Sequence, residues 1–183
     1  SQTVANYWLP PLLHRFRAAH PGVTLKLEIG NTETVSALVH EGRADLGFVE
    51  GRIEDALLTI DIVAEDEPVL VASAEFARLL DAGGPGALTS VPWVFRERGS
   101  GTRAVLEEVL AAHGLGAEDL DIVLELPSNE AVRVAVESGA GAAVLSRLVV
   151  RNALLAGALN LCSLALPNRH FYALKHRERA ATP

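Results

Sequence analysis

A short apolar run that passes through a small polar loop straight into a helix limits this chain more than any other feature. Val91 to Phe95 predicts a buried strand, and Ala104 to Leu110 predicts an amphipathic helix. Between them lies Arg96-Glu97-Arg98-Gly99-Ser100-Gly101-Thr102-Arg103. A loop of this kind has no bulky side chains at its centre and presents free backbone N–H groups at the positive end of a helix dipole. Ser100 and Thr102 add hydroxyl donors, and Arg96, Arg98 and Arg103 add positive charge. That is the chemistry of a small-anion cradle. A Ser/Thr helix cap on a Gly-rich turn accounts for the same residues without any ligand, and at this point both readings stand.

The remainder of the chain repeats the strand–turn–helix theme. Tyr7, Leu9, Leu12, Leu13 and Phe16 predict a first helix, with Pro10 and Pro11 in its early turns and Pro21-Gly22 as its stop. Ser1 and Thr3 fall just before it, as donors to an anion or as ordinary caps. Val23 to Ile29 alternates strictly and predicts a half-exposed strand. Gly30-Asn31-Thr32 follows, then a helix with Val35, Leu38 and Val39 that Gly42 closes, then a strand over Asp45 to Val49. This reads as a right-handed βαβ unit. Asn31 and Thr32 would lie at the carboxyl end of its first strand, where open α/β sheets take ligands.

Leu57 to Val63 and Glu67 to Ala72 predict two extended segments, with Glu65-Asp66-Glu67 as a solvated turn between them. A short helix over Ala74 to Ala82 and a Gly83-Gly84-Pro85-Gly86 breaker lead back to the opening motif. Beyond it, the helix over 102–113 ends at Gly114, and Asp121 to Leu126 predicts a strand. Ser128 or Asn129 caps a helix holding Val132, Val134, Ala135 and Val136, and a turn from Ser138 to Gly141 enters a strand through Leu145, a second βαβ unit. Asn129 is also a candidate ligand donor. Leu148 to Leu155 predicts a short helix, Leu159 to Leu166 an extended segment, Arg169 to His176 a last strand, and Arg177 to Pro183 a polar, frayed tail.

Composition excludes several functions. A net charge of −7 over 183 residues argues against this chain being itself a nucleic-acid surface, which needs clustered Lys and Arg. Aromatic residues make up only 5%, so Ala, Val and Leu must build the core. No apolar run has transmembrane length and no signal-like N-terminus is evident. The single Cys162 cannot form an internal disulfide, so the expected compartment is the cytoplasm, with Cys162 in the core. The six His show no metal-ligand spacing, so neither metal nor cofactor is expected. No His near Ser100 and no carboxylate pair in a loop suggests a nucleophile–base arrangement, so the chain does not read as an enzyme.

Several segments resemble one family. Thr3-Val4-Ala5-Asn6-Tyr7-Trp8-Leu9-Pro10 with His20-Pro21-Gly22-Val23, then Glu41-Gly42-Arg43-Ala44-Asp45-Leu46-Gly47, then Val136-Glu137-Ser138-Gly139-Ala140-Gly141, are similar to the effector-binding domain of LysR-type transcriptional regulators. The Arg96 to Arg103 run is most like the branch that regulates sulfur assimilation and carbon-dioxide fixation. The resemblance implies a two-lobed α/β fold of the periplasmic-binding-protein-like (type 2) kind, with a ligand cleft between lobes. Residues 1–71 plus 168–183 would form one lobe and 72–167 the other. By position, Ser1, Thr3, Asn31, Thr32, Ser100 and Thr102 match the family's ligand-contacting segments. Gly101, Arg96, Arg103 and Asn129 join them on their chemistry, although Arg103 can instead pair with Glu107 one helical turn on.

The resemblance further implies a small anionic effector, a homodimer that becomes a tetramer in the full-length protein, no membrane partner, and DNA contact only through an N-terminal winged helix-turn-helix. That domain, a linker helix and the first strand of lobe one have no counterpart here, so the sequence reads as a fragment. Hydroxyl and backbone donors suit sulfate or sulfite; an Arg-rich site suits a phosphorylated or carboxylate metabolite. A solute-binding protein of a transport system for a small anion is the alternative.

Overall fold

The computed structural model describes residues 1–179, which divide into two compact units. One comprises Ser1–Ala64 with the chain from His170 onward; the other is Glu65–Arg169. These boundaries fall at 64/65 and 169/170, against the 71/72 and 167/168 expected of the lobes. The difference lies in residues 65–71 and 168–169, and for the first stretch its reason is pairing: Pro68–Ala72 is the fully buried central strand of the second unit's own sheet.

The first unit opens with a π-helical turn, Val4–Trp8, that leads into α1, Pro10–Ala19, whose first positions hold the two prolines. Proline fits there because the first helical N–H groups have no partner to lose. α2, Thr32–His40, is capped by Asn31, whose side chain accepts from Thr34 N–H. A three-stranded sheet follows in the order β1, Gly47–Val49, then β8, Arg169–His176, then β2, Leu58–Asp66. β1 and β8 run antiparallel with Phe48 opposite Ala173. Val35, Val39, Val49, Leu58 and Leu174 form one buried cluster, and Val4, Leu9 and Phe171 another, against which Trp8 packs edge-on to Phe171.

The expected strand over Val23 to Ile29 does not form. The segment has no ladder partner among the described residues, and Val23, Leu25, Leu27 and Ile29 are all exposed. Alternation supplies a face for a strand but not the neighbouring backbone a strand needs. The βαβ unit expected here therefore lacks its first member.

In the second unit, β3, Pro68–Ala72, lies between β6, Ala143–Ser146, and β7, Asn160–Leu161, and is antiparallel to both. β7 covers only two residues of the longer extended run expected at 159–166. β4, Pro92–Arg96, pairs in parallel with β5, Asp121–Leu126. Ala142 joins β4 to the other sheet, accepting from Val94 N–H at 2.9 Å and donating to Pro92 C=O at 2.8 Å. The expected crossover from β5 through α5, Asn129–Glu137, to β6 is present, with β4 lying between its strands. α3, Ala74–Gly83, α4, Gly101–Ala112, and α6, Arg147–Leu155, complete the unit. Its core joins Leu70, Leu88, Trp93, Phe95, Leu106 and Leu110.

Arg177 donates to Leu58 C=O at 2.9 Å and Arg179 to Glu41 C=O at 3.1 Å. The start of the tail is thus tied down rather than frayed, and residues 180–183 lie outside the described residues. No helix among the described residues is long and apolar enough to cross a membrane.

Two measurements check this packing. A side chain at Gly141 would bring its Cβ within 2.3 Å of Pro92 O. Gly141→Ala should therefore lower stability by about 1–3 kcal/mol, the usual cost of overpacking, as read by urea unfolding. Cys162 is buried, and burial, with the Asp81 charge adding to it, pushes its thiol up to about 12. In the folded protein at pH 8 it should resist an aromatic disulfide reagent and react only when denaturant is added.

Candidate functional site

The opening motif folds as strand, loop and helix. Gly99 takes a positive φ of 80°, which turns the chain from β4 toward α4 at no steric cost. Ser100 caps α4, its Oγ accepting from Thr102 N–H at 3.2 Å. Backbone pairing within the helix starts at Ala104, whose N–H donates to Ser100 C=O. The preceding N–H groups form the open positive end of a twelve-residue helix. Val105, Leu106, Val109 and Leu110 bury one face of it and hold that end in place. Ser100, Gly101 and Thr102 are all buried.

The neighbouring arginines are committed elsewhere. Arg96 donates to both Glu97 oxygens, at 2.7 and 2.9 Å, and to Asn129 Oδ1. Arg103 donates to Glu107 at 2.7 Å, to Glu125 at 2.6 Å and to Arg96 C=O at 3.1 Å, with its guanidinium 5.3 Å from the Phe95 ring centre. Burial works against the Arg103 charge, but the hydrogen bonds to Glu107 and Glu125 outweigh it and hold the group above the usual arginine range. Both side chains brace the β4–β5–α4 corner. Ser128, not Asn129, caps α5, accepting from Ala131 N–H at 3.0 Å.

A buried charge network lies against the same helix end. Arg169, at the start of β8, donates through Nε to Asp66 at 2.7 Å and through Nη1 to Thr102 Oγ1 at 3.2 Å. Ser146 donates to the other Asp66 oxygen at 2.5 Å while its Oγ caps α6. Asp66 is 4% exposed and Arg169 7%. The assignment of Glu65-Asp66-Glu67 to a solvated turn is therefore wrong at its central residue. β2 lies beside β8, and Pro68 pairs with Ser146. Two residues upstream, Asp66 meets both partners. Arg169, Asp66 and Ser146 were not singled out from the sequence. A signal was present: Arg169 and Phe171 are two apart in one strand and so share a face.

In the first unit, Ser1 Oγ and Thr3 Oγ1 both donate to the buried Glu50, the latter at 3.1 Å. Their hydroxyls already meet a carboxylate that the chain supplies itself. Asn31 Oδ1 accepts from Thr34 N–H and Thr34 Oγ1, both at 2.9 Å. Thr32 Oγ1, at the first position of α2, is buried without a hydrogen-bond partner among the described residues. No group of three or more His, Cys, Asp or Glu among those residues is placed to hold a metal ion.

Two helix starts, α4 and α2, thus carry buried hydroxyls, those of Ser100 and Thr102 in one unit and of Thr32 in the other. The chain belongs to the LysR substrate binding domain family, which it matches over residues 1–183. It is 34% identical to the uncharacterized HTH-type transcriptional regulator YeiE of Escherichia coli K12, over 98% of this chain and 61% of that protein. It is 38% identical to the HTH-type transcriptional regulator CysL of Bacillus subtilis, over 85% of this chain and 51% of that protein. The chain thus spans about three fifths of YeiE and half of CysL. Among solved structures it is similar to the CcmR regulatory domain of Synechocystis PCC6803 in complex with 2-PG, with a TM-score of 0.83 and 25% identity over 98% of this chain and 86% of that one. The fold is accordingly the mixed α/β, two-lobed periplasmic-binding-protein-like fold of LysR effector-binding domains.

The network makes a stability test possible. Asp66→Ala leaves the Arg169 charge buried and unbalanced and should cost about 3–5 kcal/mol in denaturant unfolding. Glu107→Ala, which removes a half-exposed partner of Arg103, should cost about 1 kcal/mol or less.

Proposed function

We propose that this chain is the ligand-sensing domain of a LysR-type transcriptional regulator and that it binds a small anionic effector at the N-terminus of α4. The carrying observation is the buried Ser100-Gly101-Thr102 turn, which places two hydroxyls at the positive end of a long helix, where the first-turn N–H groups other than that of Thr102 have no partner among the described residues. Family membership supports a binding domain over an enzyme, and the 2-PG complex of the CcmR regulatory domain supports a small-molecule effector. Thr32, with its buried unpartnered hydroxyl, is a second donor of the same kind in the first unit. On this reading Arg96, Arg103 and Asn129 hold the α4 site in shape through their bonds to one another and to Glu97, Glu107 and Glu125.

In the whole protein, an effector that binds one arrangement of the domain better than another shifts that equilibrium. It would thereby control DNA binding by a cytoplasmic homodimer or tetramer, through a helix-turn-helix outside this chain.

Titration calorimetry of the chain with sulfite, sulfate, phosphate and 2-phosphoglycolate tests the reading. One of these should bind, and Ser100→Ala or Thr102→Ala should weaken it by about 1–3 kcal/mol, the usual effect of losing a hydrogen bond to a charged group. Unchanged affinity in both variants would show that Ser100 is a cap and nothing more.

A further inference from the structure

Arg169 is a buried cation with a donor to spare. Its Nε is taken by Asp66 and its Nη1 by Thr102 Oγ1, yet Nη2 is buried without a hydrogen-bond partner among the described residues. Buried polar groups are nearly always paired, so an orphan on a fully charged side chain needs a reason. The guanidinium is a rigid plane in which Nη2 shares one edge with Nε and the other with Nη1. Nη1, the neighbour of Nη2 on that second edge, meets the hydroxyl of Thr102, the second residue of α4. A group that accepts from Nη2 on that edge also comes beside the Thr102 hydroxyl. That hydroxyl accepts from Arg169 and so keeps its own proton to donate. Arg169 thus brings a charged donor next to the first turn of α4, where the Thr102 hydroxyl is itself a donor.

We propose that Arg169 is the charged clamp of the effector site: Nη2 binds an oxygen of a carboxylate, sulfite or phosphate group whose other oxygens take the Thr102 hydroxyl and the N–H groups opening α4. This rests on the reading of α4 as the effector's anchor and adds to it the residue that demands an oxyanion rather than a neutral hydroxyl-bearing ligand. Asp66 balances the Arg169 charge when the site is empty. Ser146 and Arg169 Nε each meet one of its oxygens. A lysine could supply the charge but not the fork, which separates recognition of an oxyanion by geometry from attraction by charge alone.

The test uses the whole chain and calorimetric titration with sulfite, sulfate, phosphate and 2-phosphoglycolate. Arg169→Gln should weaken the anion that binds by roughly ten- to a hundredfold, and Arg169→Lys should restore only part of the loss. Because Arg169→Gln leaves Asp66 without its counter-charge, the paired variant Asp66→Asn with Arg169→Gln is measured alongside, with thermal unfolding to show that it folds. The paired variant should fold and still bind poorly. Binding within about twofold of wild type in the folded paired variant overturns the clamp; if Thr102→Ala loses affinity in the same series, the α4 reading survives it. Loss in Arg169→Gln with Ser100→Ala and Thr102→Ala unchanged overturns the α4 reading and the shared oxyanion site together. Failure of all four anions to bind the wild-type chain overturns both as well.

Discussion

A buried arginine beside a buried aspartate is expensive, and the 65–169 unit is arranged around making that pair tolerable. Each ion loses several kcal/mol of hydration on leaving water, and only close pairing with further hydrogen bonds repays it. Asp66 has those bonds, with Arg169 on one oxygen and Ser146 on the other. Arg169 has them on two of its three nitrogens. The ends of β2 and β6, the start of β8 and the first turn of α4 all come to this one place. The network reaches Thr102 through the Arg169 Nη1 bond, beside the packing of α4.

Around it, polar side chains are used to finish helices. Ser100, Ser128 and Ser146 cap α4, α5 and α6 by the same contact, hydroxyl oxygen to a backbone N–H two or three residues on. A cap of this kind is worth about 1 kcal/mol and fixes where a helix begins. At α4 the consequence goes beyond stability. The cap satisfies one N–H and leaves its neighbours without a partner among the described residues, on a helix whose Val105, Leu106, Val109 and Leu110 are buried. The arginines that flank the loop are absorbed by carboxylates and by Phe95. The guanidinium that contacts the helix start is therefore Arg169, distant in sequence, while Arg96 and Arg103 pair with carboxylates.

The first unit shows the opposite economy. Ser1 and Thr3 are placed as donors before a helix, yet Glu50 consumes both. Composition alone treats a hydroxyl at a helix start as equivalent wherever it occurs; the identity of the residue that folds back onto it decides whether the hydroxyl is spent or available. Thr32 has no such partner and Ser1 has one, although the two look alike in the sequence.

Local pattern was enough to place most elements. The strand–Gly-Ser-Gly-Thr–helix run at 91–112, the Pro-started α1, a cap at Ser128 or Asn129 and β8 from Arg169 to His176 all follow from periodicity, capping chemistry and the limits on Pro and Gly, which act over a few residues. Pairing is not local. Val23 to Ile29 alternates as well as any strand and forms no ladder, because a ladder needs a second backbone that the pattern cannot name. Asp66 sits in an acidic run that reads as surface, and Arg169 in a polar approach to a strand. Only the adjacency of β2 and β8, and of β3 and β6, brings them together across 103 positions of sequence and under one helix. The sequence by itself determined that an open helix end with hydroxyl donors would exist. The tertiary structure decided which charge stands beside it, because burial turns an ordinary arginine into a donor that must find a partner.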